Sequence, residues 1–213
     1  EKSSAKRTIL RLEIIALRHL QPCARVVRYV HCGQCRVNET DLKFLVMEKL
    51  GDNLAHLRKL VGEGGPNRPR FSMSTSLRLG IQMIECLEGV HKMGYVHRDI
   101  KPSNFVVSLP TPDQSAPVMV HIIDFGLARK YVLQTGAIRP ARASAGFRGT
   151  VRYASISSHE QKELGPHDDL WSVFYSLVEF ATGSLPWMRM RDKSQVLELK
   201  RQYTNEQLVV NLP

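Results

Sequence analysis

The chain of 213 residues contains no long hydrophobic run. A helix that spans a membrane needs roughly 18 or more consecutive apolar residues, whereas the longest apolar region, residues 170–181, is interrupted by Glu179. The chain opens on two charged residues, Glu1 and Lys2, and lacks the apolar core of a secretory signal peptide. We therefore expect an intracellular protein without a membrane partner, located in the cytoplasm or the nucleus.

Cysteine is scarce, and its spacing does not favour a zinc or redox site. Of the four cysteines, only Cys32 and Cys35 are separated by two residues. A zinc ribbon needs a second pair of this kind, and His31 does not replace it. We expect Cys23, Cys86 and the pair to be free thiols in a reducing compartment.

Acidic residues are outnumbered by basic ones, 20 to 30, which gives a net charge of +10. Such an excess favours anionic partners. Nucleic acid is disfavoured among them, because the basic residues are spread along the chain and no zinc finger, RNP motif or other recognition signature accompanies them. An acidic or phosphorylated protein explains the charge equally well.

The periodicity of apolar residues predicts short strands and longer helices separated by polar loops. Helices are predicted over residues 6–20, 53–60, 170–182 and 193–203, and strands over 26–30, 43–47, 105–107 and 119–123. A further long helix, capped by Ser74 or Thr75 and ended by Gly94, should bury Leu77, Ile81, Ile84 and Leu87. Loops are predicted over 62–70, 109–117 and 129–152, the last being a mobile segment that faces a substrate.

Residues 97–104, with the sequence HRDIKPSN, precede the tripeptide Asp124-Phe125-Gly126 by about 20 residues. Phosphoryl transfer needs a carboxylate that orients an attacking hydroxyl, a cation on the moving phosphate and two oxygen donors for Mg²⁺. The side chains that fit these needs, in that order, are Asp99, Lys101, and the pair Asn104 and Asp124. Each residue alone would be an ordinary polar loop residue, but their joint spacing favours phosphoryl transfer.

Three stretches give the chain a family resemblance: residues 97–105 (HRDIKPSNF), residues 145–156 (AGFRGTVRYASI), and residues 167–171 (HDDLW) with 185–187 (LPW). On these residues the chain resembles the protein kinases, and within them the casein kinase 1 superfamily and its tau-tubulin kinase branch. The resemblance implies an α+β, protein-kinase-like fold, with a truncated small β lobe followed by a mainly helical large lobe. Residues 1–50 would run from helix C to the hinge, and residues 51–213 would form an incomplete C-terminal lobe.

The resemblance also implies roles for individual residues. The catalytic group would be Asp99, Lys101, Asn104 and Thr150, with Asn104 and Asp124 as ligands of Mg²⁺. ATP would contact helix-C residue Glu13, the gatekeeper Met47, the hinge residues Glu48, Lys49 and Leu50, and Asp124. Structural roles would fall to His97, Arg98, Phe125, Gly126 and Asp169, and an anion site for substrates to Arg152, Gly183, Arg189 and Lys193. Asp169 could instead be a helix N-cap, Arg152 a solvated charge, and Glu13 a half-exposed surface glutamate.

The implied activity is that of a Ser/Thr protein kinase, which transfers the γ-phosphate of ATP to acidic, phosphorylated or cytoskeletal proteins. A Gly-rich loop and the lysine that pairs with Glu13 are missing from the sequence. Since the chain also does not begin with methionine, we expect an incomplete domain that has weak or no activity by itself. The alternative is a non-catalytic binding module, if the parent protein also lacks both elements. The oligomeric state is not predicted.

Overall fold

A computed structural model of the chain describes residues 9–65, 68–110 and 117–210. Its strands are β1 (Tyr29–Val37), β2 (Thr40–Met47), β3 (Tyr95–Val96), β4 (Phe105–Val107), β5 (Val120–Ile122) and β6 (Arg129–Lys130). Its helices are α1 (Ile9–His19), α2 (Leu54–Val61), α3 (Met73–Lys92), α4 (Ile156–His159), α5 (Pro166–Thr182), α6 (Lys193–Gln202) and α7 (Asn205–Val209). A small strand-rich part is thus followed by a helical part, which confirms the predicted α+β class.

The first hairpin differs from its predicted bounds. β1 begins at Tyr29 rather than at residue 26 and continues to Val37, and β2 pairs with it in antiparallel fashion over its whole length. Both turn residues, Asn38 and Glu39, have positive φ angles of 46° and 62°, as a two-residue hairpin turn requires. The predicted strand was too short because the polar residues of β1 have no strand pattern of their own, and pairing with β2 makes them extended.

The predictions for the next elements are partly confirmed. The predicted first helix begins three residues before the described residues, and its described part ends at His19. α2 matches its prediction closely, because the side chain of Asn53 caps it by accepting a hydrogen bond from the amide of His56. The cap of α3 is Ser72, so the prediction of Ser74 or Thr75 was wrong.

The buried face of α3 was also predicted wrongly. Leu77, Ile81 and Ile84 are 58%, 60% and 48% exposed, and only Leu87 of the predicted set is buried. The helix instead turns inward the face that carries Gly80, Met83, Cys86 and Leu87, because Gly80 packs directly on α5. A Cβ atom at Gly80 would lie 2.9 Å from the Cδ2 atom of Leu177. Apolar residues lie on both sides of α3, so periodicity alone does not identify its buried face. The close approach of α5 determines which face is buried.

Four short strands place the two predicted motif loops side by side. β3 and β4 flank the loop of residues 97–104, and β5 and β6 flank residues 123–128. β4 pairs with β5, and β3 pairs with β6, both in antiparallel fashion. The pairing of β4 with β5 confirms the two predicted strands, whereas β3 and β6 were not predicted. Because each loop begins and ends on strands that pair with those of the other, the two loops must be neighbours.

The hydrophobic core anchors both loops. Phe105 follows the first motif and Phe125 lies inside the second, and both are completely buried in a cluster that extends from α1 to α5. A second cluster joins α5 to the later helices and includes Tyr153, Tyr175 and Trp187. Both motif loops are therefore anchored to the hydrophobic core by large aromatic side chains.

The last helices complete the fold. α5 ends at Thr182, as predicted, because Gly183 adopts a left-handed conformation with φ of 77°. α6 begins after Asp192, whose side chain caps it, and α7 was not predicted. None of the helices in the described part of the chain combines the length and apolarity that a membrane crossing requires.

Candidate active site

Asp99 lies at the centre of the site, and both of its carboxylate oxygens are engaged. Lys101 donates from Nζ to Oδ2 at 2.7 Å, and Thr150 donates from Oγ1 to Oδ1 at 2.8 Å. The carboxylate is nearly buried, so its orientation is fixed by these two partners. Three of the predicted catalytic residues thus meet within hydrogen-bond distance, although Thr150 comes from a segment far along the chain.

Asn104 joins this group through the backbone. Its side-chain Nδ2 donates to the carbonyl oxygen of Asp99 at 2.9 Å, and its own carbonyl accepts from the amide of Ile123 at 3.0 Å. The second bond places Asn104 beside Asp124, the next residue. Asp124 has a φ of 66°, a conformation that non-glycine residues adopt at a cost and that often marks a functional position.

The pair Asn104 and Asp124 fits a magnesium ion. Since Nδ2 of Asn104 is a donor to Asp99, its Oδ1 remains as an acceptor. In the described residues, no three His, Cys, Asp or Glu side chains gather as they would around an ion held by protein alone. Mg²⁺ usually takes only one or two protein ligands, together with waters and phosphates. Two hard oxygen donors on neighbouring loops therefore suit it.

Glu13, on α1, faces the second motif loop. Burial raises the pKa of the Glu13 carboxyl, the negative charge of Asp124 raises it further, and the amide of Phe125 opposes both by donating a hydrogen bond. The approach of α1 to this loop is close, because a Cβ atom at Gly126 would lie 2.8 Å from Cγ2 of Ile9. A side chain at position 126 would force Ile9 to move. The neighbouring carboxylates of Glu13 and Asp124 would both be stabilised in their charged forms by a bound cation.

His97 and Asp169 hold the backbone of the first motif loop. The buried ring of His97 packs edge-to-face against Phe125, with ring centroids 5.2 Å apart, and its Nε2 lies 3.1 Å from the carbonyl of Ile123. The buried carboxylate of Asp169 accepts from the amides of His97 and Arg98, both at 2.9 Å, and lies 2.8 Å from Nε2 of His91. The cap of α5 is Gly165 rather than Asp169, so the alternative interpretation of Asp169 as an N-cap does not apply.

Arg98 belongs to a basic cluster around Glu163. Burial lowers the pKa of Arg98 to about 10, helped by the positive charges of Arg129, Arg142 and Arg148. Glu163 is the carboxylate of this cluster, and its oxygens lie 2.5 and 3.0 Å from Arg142 nitrogens and 3.2 Å from Nε of Arg129. Sequence reasoning missed Glu163, because no local pattern distinguishes it from a surface glutamate.

The predicted hinge residues follow β2 as expected. The amide of Glu48 donates to the carbonyl of Arg28 at 3.0 Å, and its Oε1 accepts from the amide of Arg28 at 2.7 Å. Met47 and Leu50 pack against the core, and Lys49 is exposed. The segment is therefore a tethered connection between the strand-rich part and α2.

The four residues of the predicted anion site do not line one cavity. Arg152 borders a cavity of about 450 Å³ that Lys101 and Thr150 also line, together with Arg191. Arg189 borders another cavity, of about 500 Å³. Gly183 lies under the backbone of Arg68, where a Cβ atom would come 2.6 Å from the carbonyl oxygen, and Lys193 lies 4.4 Å above the ring of Phe147. Arg152 and Arg191 are thus the basic residues that line a cavity with Lys101, and sequence reasoning missed Arg191.

Arg152 is not a freely solvated charge either. Its Nη1 lies 3.2 Å from Oε1 of Glu179, and that oxygen also accepts from Nη2 of Arg58 at 3.0 Å. Tyr153 donates to the other oxygen of Glu179 at 2.5 Å. Glu179 is completely buried, so one carboxylate on α5 fixes two arginines and a tyrosine.

Known proteins resemble this chain over most of its length. A Dictyostelium discoideum protein named as a probable serine/threonine-protein kinase is 49% identical over 213 residues, which is 100% of this chain and 41% of that protein. A Caenorhabditis elegans protein provisionally named as a casein kinase I is 35% identical over 158 residues, 74% of this chain and 44% of that protein. The serine/threonine-protein kinase spe-6 of the same organism is 31% identical over 205 residues, 95% of this chain and 51% of its own length.

The chain therefore spans between 41% and 51% of the length of these relatives. The family model that describes the protein kinase domain matches residues 1–211. A match of this extent covers the strand-rich part, both motif loops and the helical part together. The chain accordingly belongs to the protein kinase family.

Proposed function

We propose that the protein is a Ser/Thr protein kinase of the casein kinase 1 superfamily, in the tau-tubulin kinase branch, and that it transfers the γ-phosphate of ATP to a protein hydroxyl. The observation that carries this proposal is the position of Asp99, with one carboxylate oxygen on Lys101 and the other on Thr150. A carboxylate fixed in this way can orient an incoming hydroxyl and accept its proton. The relative provisionally named as a casein kinase I supports the assignment to the casein kinase 1 superfamily.

The geometry of the loops supports the roles that we propose for individual residues. Asp99 orients the substrate hydroxyl, Lys101 contacts the γ-phosphate with its ammonium, and Thr150 fixes the rotamer of Asp99. Asn104 and Asp124 would hold Mg²⁺, which neutralises phosphate charge when it is bound. Glu13, together with the hinge residues 47–50, would border the ATP site.

We propose acidic or phosphorylated proteins, including cytoskeletal ones, as substrates inside the cell. The net charge of +10 and the presence of Arg152 and Arg191 beside Lys101 support this class. Positive charge at the rim of a cleft raises the local concentration of anionic substrates. Because Arg152 is partly neutralised by Glu179, we expect Arg191 to contribute more than Arg152.

The decisive test replaces Asp99 in the full-length protein. With Mg²⁺, ATP and an acidic peptide, we expect Asp99→Asn to lower kcat about 10²- to 10⁴-fold, because the amide cannot accept the proton. The matched control is Asp41→Asn, on the exposed end of the β1–β2 hairpin, which should leave kcat unchanged. Absence of any Asp99-dependent phosphate transfer would contradict the proposal and favour a non-catalytic binding module.

A further inference from the structure

We infer that Lys200, on α6, is a positioning residue that fixes the wall of the peptide-binding cavity beside Asp99 and thereby sets the affinity for the peptide substrate. Because only a protein kinase would bind a peptide substrate in this cavity, this inference rests on the proposed function. Lys200 lies outside both motif loops, and its hydrogen-bond partners are Val151, Ala154 and His159 rather than Asp99 or Lys101.

Lys200 is a buried cation with a complete set of partners. Lys200 is only 4% exposed. Nζ donates to the carbonyl oxygens of Val151 at 2.9 Å and Ala154 at 2.6 Å, and it lies 3.3 Å from Nε2 of His159. The rings of Tyr175 and Trp187 lie 4.9 and 5.1 Å from the same nitrogen, within the range of cation–π attraction.

The two carbonyls bracket the segment that forms the cavity wall. Val151, Arg152 and Tyr153 line the 450 Å³ cavity together with Lys101 and Thr150. The carbonyl of Arg152, between the two that Lys200 binds, accepts from Nε1 of Trp187 at 2.8 Å. Three carbonyls of this irregular segment are therefore satisfied by side chains from α6 and from the connection before it. The position of the wall relative to Asp99 depends on those side chains.

Packing alone does not account for a lysine at this position. Burial lowers the pKa of Lys200 to about 7, which shows that the charged form is disfavoured by its surroundings. An apolar residue of similar length would avoid this penalty. It would, however, leave the carbonyls of Val151 and Ala154 without their donor, and these groups would then seek water or a different conformation.

The test compares Lys200→Met with Arg201→Met in the full-length protein. Arg201 is the next residue on α6, and its exposed side chain pairs with Glu160 on the surface. We expect Lys200→Met to raise the KM for an acidic peptide about tenfold, while the KM for ATP stays within about twofold, because only the peptide wall moves. Arg201→Met should leave both constants unchanged. If Lys200→Met does not fold, Lys200→Gln is measured in its place, with the same expected direction.

A second readout is independent of turnover. We expect the amides of residues 151–155 to exchange with deuterium faster in Lys200→Met than in wild type or Arg201→Met, because the segment loses its tether. Unchanged peptide KM, or equal changes in kcat and in both KM values, would overturn the inference. If the wild-type protein shows no Asp99-dependent phosphate transfer, the proposed function is wrong. If the deuterium exchange of residues 151–155 is also unchanged in Lys200→Met, the positioning role of Lys200 is wrong as well.

Discussion

Three carboxylates fix the loops around the site, and each uses both of its oxygens. Asp99 binds Lys101 and Thr150, and Asp169 binds two successive backbone amides. Asp168 accepts from the hydroxyl of Ser155 at 2.7 Å and from the amide of Gly165 at 2.8 Å. Hydrogen bonds to both oxygens of a carboxylate are charge-assisted and strong, so these three side chains hold the loop segments that they bind in place.

His159 should make the free energy of unfolding of the protein depend on pH in the acidic range. Its ring is buried, and Nδ1 has no hydrogen-bond partner in the described structure. Burial, together with the charge of Lys200, lowers the pKa of His159 to about 4. Between pH 6.5 and 4 the unfolded chain binds a proton that the folded chain does not bind, so stability falls as the pH falls. We predict a loss on the order of 2–3 kcal/mol from this residue across that range.

The measurement is urea unfolding at several pH values between 7 and 4. In His159→Gln, whose amide oxygen replaces the acceptor facing Lys200, the acid-dependent loss should shrink by about that amount. The control is His56→Gln, because His56 is half exposed at the surface. An acid dependence that is equal in wild type and His159→Gln would show that the buried ring does not titrate as its surroundings suggest.

Helix α5 connects three parts of the molecule through one buried side chain. Glu179 binds Arg58 on α2 and also Arg152 and Tyr153 beside the cavity. We predict that Glu179→Ala lowers the free energy of unfolding by about 3–5 kcal/mol, because Arg58 would keep a buried charge without a counterion. Denaturant unfolding measures this change. Glu198→Ala, on the exposed face of α6, is the control and should have little effect.

The same network allows a sharper test of the cause. If the loss comes from the uncompensated charge of Arg58, then Arg58→Met combined with Glu179→Met should be more stable than Glu179→Ala alone. A double variant that is equally unstable would show that the loss comes from packing at Glu179 and not from the charge.

At the scale of the whole molecule, the net charge of +10 should govern how substrates associate. The Debye length falls from about 10 Å at 0.1 M salt to about 3 Å at 1 M. We predict that raising NaCl from about 0.1 to 0.5 M increases the KM of an acidic peptide about fivefold, with less than a twofold change for a neutral peptide. Steady-state kinetics on the two peptides checks this. Equal responses of both peptides would contradict the proposed acidic preference.

The sequence by itself determined the features that depend on neighbouring residues. The start of α2 was predicted to within one residue and the end of α5 at Gly183 was predicted correctly, because capping and left-handed geometry are properties of a few adjacent residues. The first motif loop was placed correctly before the strand at 105–107 and the second after the strand at 119–123, although β3 and β6 were not predicted. The α+β class followed from the family resemblance. The family resemblance rested on such short stretches, and the match to the protein kinase domain confirms that the chain is a protein kinase family member.

Only the tertiary structure decided which distant residues meet. The inward face of α3 depends on the approach of α5 at Gly80, and no periodicity within α3 contains that information. Glu163, Glu179 and Lys200 look like ordinary charged residues in the sequence, and they acquire partners only when separate segments pack together. Arg152 and Arg189 line different cavities for the same reason. Caps, turns and short motifs depend on consecutive residues, so the sequence predicts them. The partners of a buried charged residue come from distant segments, so only the tertiary structure shows them.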